Sequence, residues 1–303
     1  MSVLITGSIA LDTVKTPVEE HADLLGGSAS YASIAAGFFS PVNLVGIVGS
    51  DFPKPYLDLY RKHGINLDGL QIADGKTFRW HGEYEWDMNK RRTLSVALNV
   101  FETFQPTLPS AYRDTPYVFL ANIHPQLQLH VLSQVNRPRF IVADTMDLWI
   151  ETARDALMEL LPKIHCLVLN DSEAREFTRE TSLIKAGRKV LTWGPQYVVV
   201  KKGEHGCLLF AKDLFFSAPA YPLEDIHDPT GAGDTFAGAF IGHLARNGAV
   251  THDALRKAVI NGSVMASYCV ESFSLGRLQS LTVADIASRY EIFRQMSHFE
   301  IGN

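Results

Sequence analysis

Asp228-Pro229-Thr230-Gly231-Ala232-Gly233-Asp234 runs directly into Thr235-Phe236-Ala237-Gly238-Ala239-Phe240. Gly231, Ala232 and Gly233 carry little or no side chain, so their N–H groups can face a ligand where a helix begins. Helix starts and backbone nests of this kind attract anions, phosphate above all. Asp234 follows at once, and a carboxylate is out of place at a bare anion site because like charges repel. It makes sense if Asp234 takes a proton from a hydroxyl while the amides hold the phosphoryl group which that hydroxyl attacks. The plainer alternative is a Gly-rich turn with Asp234 as the cap of a packed helix.

Outward from this turn, short apolar runs alternate with helical patterns. Residues 3–6, 43–48, 117–121, 140–143, 166–169 and 197–201 read as strands. Residues 29–39, 151–160, 172–181, 233–246 and 252–268 read as helices. Such alternation predicts an α/β fold, a mostly parallel sheet covered by helices on both faces. Ligands in these sheets gather at the carboxyl ends of strands. Asp144, Asn170, Gly203 and Asp234 all fall just after strands or loops. Residues 77–84 and 92–100 break the rhythm: aromatic and β-branched residues alternate with polar ones around Asp87-Met88-Asn89-Lys90. That pattern predicts an antiparallel hairpin with one wet face, projecting as a flap.

The 303 residues suffice for one large α/β domain. Net charge is −5, and the densest basic run is Lys90-Arg91-Arg92, so no nucleic-acid partner is expected. No apolar run approaches a membrane span, and Met1–Gly7 reads as a first strand, not a signal peptide. The three cysteines, Cys166, Cys207 and Cys269, lack metal-ligand spacing, as do the eleven histidines. Reduced, mostly buried thiols in a cytoplasmic protein are expected.

The 228–240 run resembles the signature of the ribokinase-like (PfkB) family of sugar and nucleoside kinases. Other segments resemble that family in the right order, from Gly7 to about Ser272. Neither a P-loop nor the protein-kinase motif set is present. The resemblance implies a single three-layer α/β/α domain over 1–303, with a small β-sheet lid from about 12–25 and 72–104. It implies an ATP-dependent kinase in which Asp234 is the base and Gly231, Ala232 and Gly233 form the anion hole. Asp12, in Gly7-Ser8-Ile9-Ala10-Leu11-Asp12, matches an Asp that binds substrate hydroxyls, a task suited to a carboxylate. Gly26 and Gly27 match the segment lying against the sugar, with Tyr31 and Asn122 as further acceptor contacts. Asn170 and Glu173 match an Asn-x-x-Glu motif that organises Mg²⁺ and phosphates through water; an Asn cap with a helix Glu is the alternative. Lys201, Gly203 and Gly206 match the nucleotide-binding turn, and Asn261 a position near adenine. A K⁺ site, where members have one, would use Asp228 and Thr230 with Ser267, Val270 and Ser272 here.

Ribokinase itself carries Asn, Lys and Asn where this chain has Ala10, Ser28 and Tyr31, which argues against ribose as the substrate. Asn122 and Asp144-Thr145-Met146-Asp147 are candidate replacement contacts. Arg79, Trp80, Trp86 and Arg92 either close over the substrate or, the favoured reading, pack within the flap or a dimer seam. Three functions follow: a kinase of a small sugar, polyol or sugar acid; a nucleoside kinase; or a catalytically silent binding protein on the same fold. A homodimer through the β-lid is expected in each case.

Overall fold

Alternation along each strand decides which side of the sheet a residue serves. In β1 (Val3–Thr6), Val3 and Ile5 join one apolar cluster and Leu4 joins another. Further along the chain, in the strand Cys166–Asn170, Cys166 and Val168 face the first cluster, Leu167 and Leu169 the second. Both faces are dry, which is why these strands read as near-continuous apolar runs.

The computed structural model describes residues 1–298. The domain expected over 1–303 therefore ends in residues 299–303, which lie outside the described residues. After β1 come β2 (Ala10–Lys15), β3 (Glu20–Gly26), β4 (Val42–Gly49), β5 (Ile65–Ala73), β6 (Phe78–Tyr84) and β7 (Arg91–Ala97). Then follow β8 (Tyr117–Leu120), β9 (Phe140–Asp144), β10 (Cys166–Asn170), β11 (Tyr197–Lys201), β12 (Cys207–Phe210) and β13 (Phe215–Ala218). Among the described residues the main sheet has nine strands in the order β13-β12-β11-β10-β9-β8-β1-β4-β5. From β11 to β5 all neighbours are parallel; β12 and β13 add an antiparallel edge.

Helices Ser28–Gly37, Ala232–Asn247 and His252–Cys269 cover one face. Helices Pro125–Leu132, Arg154–Leu160, Asp171–Thr178 and Leu183–Leu191 cover the other. The small residues after the signature turn have a packing reason. A Cβ on Gly238 would lie 2.2 Å from the Ala32 carbonyl oxygen, so only glycine admits this helix-to-helix approach.

A separate four-stranded sheet, β3-β2-β6-β7, forms the lid, with β2 and β6 parallel and the other pairs antiparallel. The expected hairpin is β6–β7, but its second strand stops at Ala97 and residues 99–103 form a 3-10 turn instead. Residues 65–73 belong to the main sheet through pairing with β4, so the second lid segment begins its strand at Phe78. The helix expected over 151–160 is two, Asp147–Thr152 and Arg154–Leu160, broken at Ala153 (φ −132°, ψ 30°). Among the described residues, no helix is long and apolar enough to cross a membrane.

Candidate active site

The signature turn sits where the sequence puts it. Helix Ala232–Asn247 starts after Gly231, whose φ of 75° is left-handed and favours glycine. No side chain caps this helix. Ala232 N–H donates to the Pro229 carbonyl at 3.3 Å and Thr235 N–H to the Gly231 carbonyl at 2.8 Å. Among the described residues the Gly231 and Gly233 amides have no acceptor, as is usual at the uncapped start of a helix. Of the three amides expected to form an anion hole, that of Ala232 is engaged within the turn.

Asp234 is half-buried at this start. Burial, followed by the nearby Asp144 carboxylate, pushes its carboxyl up to about 7, against the pull of Lys201, Arg91 and its own amide. A group near that value suits a base working near neutrality. Lys201, at the end of β11, sends Nζ to Asp144 Oδ2 at 3.1 Å, and a Cβ on Gly233 would lie 2.8 Å from that Nζ. Burial pulls the Lys201 ammonium down, but Asp144, Glu173 and Asp234 together hold it above its ordinary value. Lys201 therefore remains a cation beside the signature turn. Asp144, one of the candidate acceptor contacts, is its ion-pair partner.

Asn170 and Glu173 form a reciprocal capping box. Asn170 Oδ1 accepts from Glu173 N–H at 2.8 Å, and Asn170 N–H donates to Glu173 Oε2 at 2.7 Å. The cap reading is realised, yet Glu173 still faces the Lys201 cluster. Burial pushes it up to about 8, with Lys201 opposing. Gly203 (φ 54°) and Gly206 (φ 79°) shape the tight turn after β11, where Lys202 N–H meets the Gly206 carbonyl at 2.7 Å.

On the acceptor side Asp12 is 4 % exposed, and its Oδ1 has no hydrogen-bond partner. A buried carboxylate oxygen without a donor is costly, and a ligand hydroxyl would relieve it. Burial, then the Asp228 carboxylate, pushes Asp12 up to about 8. A Cβ on Gly26 would strike its Oδ2 at 1.8 Å, so glycine there makes room for the acid. Gly27 (φ 88°) opens helix Ser28–Gly37. Tyr31 is buried with its ring under Gly231, where an added Cβ would sit 2.4 Å away. Asn122 accepts from the Trp149 indole N–H at 2.8 Å.

Two lid residues went unnoticed in the sequence. Tyr84 ends β6 and accepts a hydrogen bond from Thr230 Oγ1 at 3.0 Å. Its cross-strand partner is Arg91, whose charge lowers both Asp12 and Asp234. Opposite residues in an antiparallel pair share a face, so Arg91 looks into the site with Tyr84. Strand alternation held this signal, but not which face was inner. Of the named flap residues, Arg79 pairs with Asp23 and Asp51, and Arg92 with Glu83 at 2.5 Å. Trp80 lies over Gly82 with the Arg91 guanidinium above it at 5.4 Å, and Trp86 is exposed.

Other expected residues have partners within the protein. Asn261 Nδ2 bonds His243 Nδ1 at 3.2 Å and the Lys257 carbonyl at 2.8 Å, between two helices. Asp228 is fully buried and braces the turn, accepting from the amides of Thr230 (2.8 Å) and Ser274 (3.0 Å). The Val270 carbonyl accepts from His227 N–H at 2.9 Å, beside that brace. Ser272 packs on Gly276, and Ser267 Oγ accepts from Arg289 Nη1 at 3.0 Å, a charge that disfavours a cation there. Among the described residues no group of three or more His, Cys, Asp or Glu is placed to hold a metal ion.

The chain belongs to the pfkB family of carbohydrate kinases, whose pattern matches residues 10–279. It is 30 % identical over 254 residues to a cytidine kinase of Thermococcus kodakarensis, covering 81 % of this chain and 89 % of that one. It is 27 % identical over 247 residues to fructokinase-2 of Oryza sativa subsp. japonica, covering 74 % and 72 %. The solved nucleoside kinase of Methanocaldococcus jannaschii shares the fold, with a TM-score of 0.76 at 19 % identity over 96 % of this chain and 98 % of that one.

Proposed function

We propose that this pfkB-family protein transfers the γ-phosphoryl group of ATP to a hydroxyl of a small, sugar-bearing acceptor. The observation that carries the reading is one helix start where amides without acceptors adjoin a half-buried carboxylate raised to about 7. Asp12 offers its orphaned Oδ1 to the acceptor's hydroxyls and orients the attacking one toward Asp234. Asp234 takes that hydroxyl's proton as its oxygen attacks phosphorus. The Gly231 and Gly233 amides receive charge on the phosphoryl oxygens, and Lys201 neutralises charge on the phosphates. Mg²⁺ would add charge neutralisation on the phosphates; the bonds made by Glu173 Oε2 leave Oε1 to hold it through water. No role for K⁺ is assigned, given Arg289 at Ser267.

A free sugar, polyol or sugar acid is one acceptor class, and kinship with a fructokinase fits it. The relation to a cytidine kinase favours a nucleoside, whose ribose offers Asp12 the same vicinal hydroxyls. The test is ADP release from Mg-ATP across pentoses, hexoses, sugar acids, inositols and nucleosides, with Asp234→Asn in parallel. Turnover confined to nucleosides supports the second class. Turnover that survives in Asp234→Asn removes the base from the mechanism.

Two further proposals rest on exposure. Strand β7 is exposed at every position and presents Leu94 and Val96, an edge suited to a second lid. Sedimentation would show a dimer that a charged residue at Val96 disperses. Cys166, Cys207 and Cys269 are free and buried, which suits the reducing cytoplasm.

A further inference from the structure

The loop carrying the Gly231 and Gly233 amides is held both from the body and from the lid. Gly231 has no side chain and its helix has no side-chain cap. Thr230 is tied to the body through its N–H, which donates to Asp228 Oδ1 at 2.8 Å. Its carbonyl receives only the weak Cys269 thiol, at 3.6 Å. From below, the Tyr31 ring supports Gly231. The body adds the turn bonds from Ala232 N–H to the Pro229 carbonyl and from Thr235 N–H to the Gly231 carbonyl; the lid adds one more, from Thr230 Oγ1 to the Tyr84 phenol at 3.0 Å.

Tyr84 is built for this contact. It is 8 % exposed, although it ends β6 and faces Arg91 across an entirely exposed β7. A buried phenol at the wet tip of a lid requires the lid to lie on the loop. The next turn of the lid agrees, since a Cβ on Gly203 in the nucleotide turn would meet Asn89 Oδ1 at 3.4 Å. Burial pushes the phenol up to about 12, so it stays neutral and hydrogen-bonding throughout the working range.

We propose that Tyr84 is a positioning residue for phosphoryl transfer: docked on Thr230, it holds the Gly231 and Gly233 amides in their receiving arrangement only while the lid is down. The consequence is coupling. An acceptor that closes the lid completes the anion hole, whereas water reaching ATP under an open lid meets a slack one. This inference rests on the kinase reading above, so its test carries an arm independent of turnover.

Tyr84→Phe keeps the ring and removes the hydroxyl; Thr230→Val removes the other partner at constant size. Each is expected to lower kcat about 5–10-fold, the scale of one net hydrogen bond, with KM for ATP unchanged. The double variant should lose no more than the worse single one, because the two groups act as one contact. Hydrogen exchange supplies the second arm. In both single variants the bonded amides of Thr230, Ala232 and Thr235 should exchange several-fold faster, while those of β10 and β11 do not. Wild-type kcat in Tyr84→Phe, losses that multiply in the double variant, or unchanged exchange at 230–235 would each overturn the proposal. Absence of wild-type turnover on every acceptor would sink the kinase reading alone, and exchange would still decide whether Tyr84 holds the loop.

Discussion

The strands under the signature turn and the outer strand of the lid obey opposite rules. β1 and β8 are buried at every residue, and β9 also, whereas β7 is exposed at every residue. The proposed chemistry thus stands on a floor that packing holds still. Of the residues proposed to meet the acceptor, Asp12 lies buried on β2 and Arg91 stands on the wet edge, where substitution costs the fold little. Changes in the floor are expected to damage rate and stability together or rate alone, and changes on exposed β7 to move acceptor affinity at constant stability.

The largest effect is expected from Asp234→Asn. It should lower kcat by about 10²–10⁴ with ATP affinity intact, as measured by single-turnover kinetics beside calorimetric binding. The same residue sets the pH profile. Its carboxyl is raised to about 7, so the base is ionised only above that value. Log kcat/KM should climb with unit slope below about pH 7 and flatten above it; a profile flat down to pH 5 would remove Asp234 from the base role.

Gly231→Ala should follow, losing about 10²–10³ in kcat because the amide hole is displaced. Here stability falls too. The new methyl meets the Tyr31 ring at 2.4 Å and φ is 75°, so a drop of about 1–3 kcal/mol in urea unfolding is expected. Asp12→Asn separates the two quantities. Acceptor kcat/KM should fall about 10–100-fold, because the amide puts a donor where one of the two oxygens would meet the acceptor's hydroxyls. Stability should rise. Folded Asp12 holds its proton to about pH 8 while the unfolded carboxyl releases it near its ordinary value, so the wild type loses stability as pH rises through that window. Tm of Asp12→Asn should exceed wild type at pH 8 and match it at pH 4.

How far the sequence disclosed this depends on whether partners are near in the chain. The 228–234 turn was legible because its glycines, acid and helix start are contiguous. The capping box of Asn170 and Glu173 was legible for the same reason. The pairing of Lys201 with Asp144 was not, since the adjacency of β9, β10 and β11 brings together residues 57 apart. β5 escaped because Asp68-Gly69 interrupts its apolar pattern, and helix Leu183–Leu191 holds Gly187, which the Phe210 ring requires to be small. The lid's alternation was readable as strand, but its inner face is set by the parallel register of β6 on β2, where Asp12 meets Trp80. Hence Arg79 and Arg92 were singled out, while Arg91 and Tyr84 were passed over.

Arg91 and Arg92 give the finest form of the comparison, because they are chain neighbours on opposite faces of one exposed strand. Arg91 stands opposite Tyr84, rests over Trp80 and is felt by both Asp12 and Asp234. Arg92 stands opposite Glu83 and bonds it at 2.5 Å, on the side turned from the site. Arg91→Gln should raise acceptor KM about tenfold, the loss of one hydrogen bond to a charged group, with ATP KM and Tm unchanged. Arg92→Gln should alter none of these, since an exposed ion pair is screened by water and salt. Equal effects from the two would mean that the lid acts through its overall charge, and the assignment of an inner face to β7 would fail. A reversal would place the register of β6 and β7 one residue out, and with it the docking of Tyr84 on Thr230.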